Sequence, residues 1–274
     1  MMLPIREGFK SPHVKSILPL KVNWSNSLTR GLTRVYLLNG PVVHELISGR
    51  VSVDSKNITT SFDTRGQLSE HASNGAMLLG RQVPHTGRLS IVAGITPASV
   101  TGTQSIFTAD SSDIGVRSWQ FRLSGDKVNF IPFVSNSNGT VTGATALTIG
   151  QFHIVGCTHD DIAGANNIRV YVDGVQDGQA SKAGSLDPDN AALGIGCRFS
   201  NVTIGSDLEN FDGNINFIFC WGDRFLSASE HLLVSRDINQ LLIPSVPRFY
   251  FIPEAAPGGL SIPVAMYNYR RRRA

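Results

Sequence analysis

The glutamates of this chain stand at positions 7, 45, 70, 209, 230 and 254, and their spacing decides which carboxylate chemistry is open to it. Cleaving a glycosidic bond takes two carboxyl groups flanking that bond, which on a strand requires a spacing that keeps both on one face. None of the six begins such a series. Glu209-Asn-Phe-Asp212 is the nearest approach to a pair, and it reads as turn chemistry ahead of an apolar strand. His159-Asp160-Asp161 is the densest polar cluster, of a type that could bind a metal or move a proton. It falls, however, in a turn between two strand-like runs, where Asp is favoured because it bonds its own backbone. There is no nucleophile elbow, phosphate loop, HExxH or EF-hand loop.

A glycan platform needs an exposed Trp or Tyr ring. Trp119 alternates in phase with Phe121 and Leu123, and Trp221 closes an apolar run, so both are expected in the core; Trp24 is the least constrained. A second polar-aromatic group lies at the C-terminus, where Phe249, Tyr250, Phe251, Tyr267 and Tyr269 lead to Arg270, Arg271, Arg272 and Arg273. Arginines in such a tip can pair bidentately with carboxylate or phosphate, and equally can form a solvated tail. The formal net charge is only +3 and charged residues make up 16%, so general nucleic-acid binding is not expected. Cys157, Cys197 and Cys220 form no CxxC pair and sit in apolar runs, which points to buried free thiols and a reducing compartment. Lys10, Lys15 and Lys21 interrupt the N-terminus, so no signal-peptide core is expected, and no run reaches the length of a membrane span.

Elements of short period position these residues. Ile168, Val170 and Val172 alternate with Arg169, Tyr171 and Asp173, and Asp173-Gly174 supplies a turn that can take φ > 0. Residues 151–159 form the preceding strand. Further strands are expected at 32–38, 88–96, 104–109, 117–123, 127–134, 141–147, 192–197, 202–205 and 211–221, whereas 57–87 shows no regular period. In that stretch Ile58, Phe62, Leu68 and Met77–Leu79 are the expected core contacts. Turn residues recur every eight to twelve positions, the pattern of a sandwich or barrel. Ser227 and Glu230 make a capping box, and Leu232, Leu233, Ile238, Leu241 and Leu242 suit one face of a short helix ending before Pro244. Residues 1–23 and the proline-bearing 244–274 lack a core of their own and read as extended arms around a domain at 24–243.

Particular segments carry a resemblance to a known family. Asn23-Trp24 followed by Arg30-Gly31-Leu32, the turn at Glu45–Arg50, His153-Ile-Val-x-x-Thr158, Tyr171-Val-Asp-Gly174, Phe211-Asp-Gly-Asn-Ile215 and Leu226–Glu230 resemble the signature of concanavalin A-like, laminin-G-like domains. The resemblance covers about residues 24–243 and implies an all-β antiparallel sandwich of jelly-roll type with one short C-terminal helix. Enzymatic relatives carry Glu-x-Asp-x-x-Glu on one strand, and the chain has no such pattern, so a non-enzymatic protein without a cofactor is expected. Some relatives hold calcium at the rim, which makes Asp160, Asp161, Asp207 and Asp212 candidate ligands by residue type.

The resemblance extends to structural proteins of bacteriophages, and the expected function is a virion component in a head-decoration, head-fibre or tail role, made in the host bacterial cytoplasm. Its arms, with the aromatic residues and arginines at 249–251, 267 and 269–273, would contact other virion proteins in a homo-oligomer or larger assembly. The alternative is a carbohydrate-binding adhesin domain that contacts a host-surface glycan.

Overall fold

The computed structural model describes residues 20–244, apart from 40–41, 50–53, 64–65, 80–82, 86, 163, 189–190 and 202. The strands in chain order are β1 (Leu20–Val22), β2 (Leu32–Asn39), β3 (Val42–Glu45), β4 (Asp54–Asp63), β5 (Gly66–Leu79), β6 (Leu89–Pro97), β7 (Thr103–Ser111), β8 (Val116–Ser124) and β9 (Lys127–Val134). They continue as β10 (Ser137–Asn138), β11 (Val141–Thr142), β12 (His153–His159), β13 (Ile168–Val172), β14 (Val175–Ala180), β15 (Leu193–Ile195), β16 (Arg198–Phe199), β17 (Asp207–Leu208), β18 (Gly213–Trp221) and β19 (Leu242–Pro244). Among the described residues the one α-helix, α1 (Ala228–Arg236), precedes β19.

These strands make an antiparallel β-sandwich. One sheet runs β14-β13-β12-β6-β18-β2-β3, and the other runs β4-β5-β15-β7-β8-β9. The first residues of β18 also pair with β5, so the two sheets are continuous at that corner. Between the sheets lies the main core, which includes Trp119, Phe121, Phe130, Val155, Val170, Ile195 and Ile218. A second apolar layer covers the outer face of the β12-β6-β18-β2 sheet. There Val35, Val92, Phe219 and Trp221 meet Leu28, Val234, Ile238 and Leu241 from the helix and the turns beside it. Both faces of β6 are therefore closed, and every one of its residues is buried.

The capping box forms as expected: Ser227 Oγ accepts from Glu230 N, and Glu230 Oε2 accepts from Ser227 N. The helix stops sooner than its apolar residues suggest. Asp237 caps a 3-10 turn at Ile238–Leu241, Leu242 joins a strand, and Leu233 is 47% exposed. His231, Val234 and Ser235 form the buried side instead.

The largest departure is at residues 54–79. No period is readable there, yet β4 and β5 pair along almost their whole length. A bulge between Lys56 and Ile58, with Asn57 at φ 50°, shifts the register partway along. Shifting a strand by one residue sends its side chains to the other face, which breaks the alternation a reader relies on. Expected strands at 141–147 and 202–205 are also reduced, the first to Val141–Thr142, while the nearby pairing near 202–205 falls on Arg198–Phe199 and Asp207–Leu208. The strand expected at 104–109 runs on to Ser111, and Asp110 within it is fully buried against Arg117 and Gln120.

Candidate functional site: a polar cleft at the rim of the sandwich

Strand register assembles one end of the first sheet. His159 pairs with Leu89, Ser90 with Trp221, and Trp221 with Leu32. The residues just past those ends, Asp160, Arg88, Gly222–Arg224 and Arg30–Gly31, thus come from four remote parts of the chain and lie along one edge. Of these, Arg30, Gly31, Arg88, Asp160, Asp223 and Arg224 line a cleft of about 580 Å³ together with Phe225.

Each wall is fixed by local chemistry. Ser90, buried, donates through Oγ to the Arg224 carbonyl at 2.8 Å and accepts from Leu226 N at 2.9 Å, which pins the 224–226 turn to β6. Trp221 Nε1 donates to the Leu28 carbonyl at 2.8 Å, holding the turn that carries Arg30 against β18. Arg224 Nη1 donates to the Ser27 and Arg30 carbonyls at 2.9 and 3.1 Å, and its other terminal nitrogen pairs with Glu230. Gly31 has φ +75°, and a Cβ there would stand 3.1 Å from Arg224 Cβ, so the close approach of these two walls suits glycine. Gly222 is required more strictly, since its Cβ would run into the Pro84 carbonyl.

On the far wall Arg88 Nε donates to Asp160 Oδ1 at 3.0 Å and lies 3.8 Å from Asp161. Asp160 Oδ1 also accepts from Ile162 N at 3.1 Å, and Asn167 Nδ2 donates to the Asp160 carbonyl at 3.0 Å. The turn expected at His159-Asp160-Asp161 is what the structure contains, and the same turn supplies a wall of the cleft. Behind it His159 is buried, with Nδ1 2.8 Å from the Gly87 carbonyl, and burial lowers its pKa against the opposing pull of that contact. The guanidinium of Arg169 sits 5.0 Å from the centre of the Phe225 ring, a cation–π contact that orients the aromatic lip. Arg30 is exposed.

The four candidate calcium ligands do not converge. Asp160 and Asp161 lie beside the Leu89 end of β6. Asp212 lies at the Pro97 end, where its carbonyl accepts from Ala98 N, about 25 Å away along the strand. Asp207 is engaged by Lys56 Nζ at 3.3 Å and Asn210 Nδ2 at 3.0 Å; burial works to raise its pKa, and these partners outweigh it and hold it low. Among the described residues no group of three or more His, Cys, Asp or Glu is placed to hold a metal ion. Glu209, of the Glu209–Asp212 pair, is clamped by Arg122 and Arg198 at 3.2 Å each.

Trp119 and Trp221 are fully buried, and Trp24 is 60% exposed. All three cysteines are free and buried, and burial raises the pKa of Cys157 and Cys197. Among the described residues no helix is long and apolar enough to cross a membrane. The expected contacts Phe249, Tyr250, Phe251, Tyr267, Tyr269, Arg270, Arg271, Arg272 and Arg273 lie outside the described residues. Neither Arg30 nor Arg88 was legible as a site residue, because each is unremarkable until strand register brings it beside the others.

The model of a family described as the concanavalin A-like lectin/glucanases superfamily matches residues 69–230. No curated protein matches the chain. Among solved structures, the binding domain of Paraclostridial mosquitocidal protein 1 is similar at a TM-score of 0.60 and 8% identity, covering 76% of this chain and 52% of that one. The chain thus spans about half the length of that structure. Domain 4 of an extracellular arabinanase from Geobacillus stearothermophilus, in complex with arabinotriose, is similar at 0.50 and 14% identity, over 74% of this chain and 98% of that one. The CBM40 of a Ruminococcus gnavus sialidase, bound to α2,3-sialyllactose, is similar at 0.50 and 14% identity, over 67% and 99%. At these identities the likeness is one of fold.

Proposed function

Because the chain belongs to the concanavalin A-like lectin/glucanases superfamily, whose model matches residues 69–230, we propose that it is a carbohydrate-binding domain that receives sugar hydroxyls in the rim cleft. The observation that carries this reading is the wall chemistry. Arg88 is already paired with Asp160, and both line the cleft, so a donor and an acceptor stand beside one another in fixed geometry. Such a pair can give and take hydrogen bonds with adjacent hydroxyls of one sugar without moving, which limits the ordering entropy of binding. Phe225 adds an apolar lip of the kind that stacks on the CH face of a ring. Two structures of similar fold, the arabinanase domain with arabinotriose and the CBM40 with sialyllactose, support the same class of ligand. The carboxylates of the site serve binding rather than hydrolysis in this reading, since Asp160 is already engaged by Arg88 and by Ile162 N.

A glycan array probed with the purified chain tests this. Binding that is lost in Arg30→Ala, with melting temperature retained, is the expected result, and an array blank for the wild type overturns it.

One observation favours a second reading, a subunit of a bacteriophage virion. Leu20 pairs with Pro244 at the ends of β1 and β19, so the first and last described residues are neighbours. The segments at 1–19 and 245–274 could then reach one neighbouring subunit, with the aromatic and arginine residues at 249–251, 267 and 269–273 as contacts. Deleting either segment should abolish incorporation into particles while leaving the sandwich folded; undiminished incorporation removes this reading.

A further inference from the structure

We propose that the ligand is an oligosaccharide chain rather than a single sugar, bound across two adjoining subsites with one unit in the rim cleft and later units against Trp24. The inference rests on the carbohydrate-binding reading above and adds a second subsite to it. Trp24 lines a separate cleft of about 270 Å³ with Lys21, Asn23, Ser25, Ile47 and Ile243. Its indole is 60% exposed, so it contributes little to packing, while Ile47 and Ile243 form an apolar floor and Lys21 and Ser25 stand exposed at the margin. A flat aromatic face with polar groups around it suits a sugar ring, which presents CH groups on its face and hydroxyls at its edge.

The platform is held rigidly. Asn23 N donates to the Leu241 carbonyl at 2.8 Å, and the side-chain amides of Asn23 and Asn26 both donate to the Gln240 carbonyl, at 3.1 and 3.2 Å. The backbone on either side of Trp24 is thus fixed onto the turn before β19. The same segment lines both clefts: Asn23–Ser25 face one, and Arg30–Gly31 the other. Between them the chain makes a single 3-10 turn at Ser27–Thr29 and folds back, so that Thr29 Oγ1 donates to the Asn23 carbonyl at 3.1 Å. That bond limits the separation of the Trp24 and Arg30 Cα atoms to no more than about 16 Å, given the 3.8 Å step between neighbouring Cα atoms. A chain of a few sugar units covers that span, and the two clefts share no lining residue, so each takes its own unit.

The experiment is an array carrying mono- to hexasaccharide members of arabinan, xylan, glucan, galactan, mannan and chitin backbones, probed with wild type, Trp24→Ala and Arg30→Ala. Melting temperature is measured for each protein, and an exposed Trp24 should leave it unchanged. The expected result is binding that begins at the trisaccharide or longer, with Trp24→Ala weakening the long members by about tenfold, the scale of one aromatic contact. Equal binding of mono- and hexasaccharides, or wild-type binding by Trp24→Ala where Arg30→Ala binds nothing, overturns the second subsite and leaves the rim cleft standing. Absence of wild-type binding to every member removes the carbohydrate reading itself.

Discussion

Replacing His231 by phenylalanine should make the domain markedly more resistant to acid. His231 leaves the first turn of α1 and lies face to face with Tyr171, the ring centroids 3.7 Å apart and the planes 13° from parallel. It is 1% exposed, and its Nε2 has no hydrogen-bond partner. Burial lowers its pKa from 6.5 to about 3. His71 behaves alike, with burial lowering its pKa to about 3 against a smaller opposing effect from the Gly75 backbone. In the folded protein, then, neither ring takes a proton until the pH approaches 3, whereas in the unfolded chain each is protonated below about 6.5. Between those values the unfolded state holds more protons, so stability falls as the pH falls through that window. At about pH 5, some 1.5 pH units below the unfolded value, each ring subtracts about 2 kcal/mol at 1.36 kcal/mol per unit. The two together remove about 4 kcal/mol, a large part of the 5–15 kcal/mol typical of a whole domain. Phenylalanine keeps a flat ring on Tyr171 and has nothing to protonate. The stability gap between His231→Phe and wild type should therefore widen by about 2 kcal/mol between about pH 7.5 and about pH 5. Urea unfolding followed by tryptophan fluorescence at a series of pH values reads this directly. Parallel pH profiles for the two proteins would refute the reasoning, because they would mean that the folded state accepts the proton as readily as the unfolded chain does.

Other substitutions probe the frame that carries the rim. Gly174→Ala should cost about 2 kcal/mol or more, read as a fall in melting temperature: the residue sits at φ +82°, and a Cβ there would stand 2.8 Å from Leu232 Cα and 2.9 Å from Ser235 Cβ on α1. Glu45 is 4% exposed, and its carboxylate accepts from Val35 N at 3.2 Å, Ile47 N at 2.9 Å and Ser48 N at 2.5 Å. Glu45→Ala strands those donors and should cost about 3 kcal/mol in denaturant unfolding, with Glu45→Gln milder because one oxygen survives. The three buried thiols should not react with a thiol reagent under native conditions and should all react in denaturant; fast labelling of the folded protein would contradict their burial.

How much of this was legible depends on how far apart in the chain the cooperating residues lie. The hairpin of β12, β13 and β14 is readable because Ile168, Val170 and Val172 all turn to the main core and Asp173-Gly174 closes the turn locally. The capping box at Ser227 and Glu230 is readable for the same reason: cause and consequence lie within a few residues. The β4–β5 pairing is not, since one bulge reverses its phase midway and no long apolar run marks it. The rim cleft is the extreme case. Residues 30, 88, 160 and 224 have no spacing relation to one another, and their meeting is a property of strand order and register alone.

That difference explains why the fold speaks so weakly about function here. A sandwich must end its strands in polar turns, so every rim of such a domain is furnished with Asp, Arg and Gly for reasons of backbone geometry. Asp160 shows the overlap: it bonds Ile162 N as a turn residue does, and it also presents its carboxylate beside Arg88 at the cleft. A turn function alone would be met without an arginine at 30. Arg88 does anchor that turn, but Arg30 stands exposed on the opposite wall, at the lip of the cleft, where a solvated side chain would serve the fold as well as any other. The side chain whose loss should be silent for stability is thus the one whose loss should matter for a ligand. A melting temperature unchanged in Arg30→Ala, together with lost glycan binding, is the combination that separates a rim built to bind from a rim that merely closes the sheet.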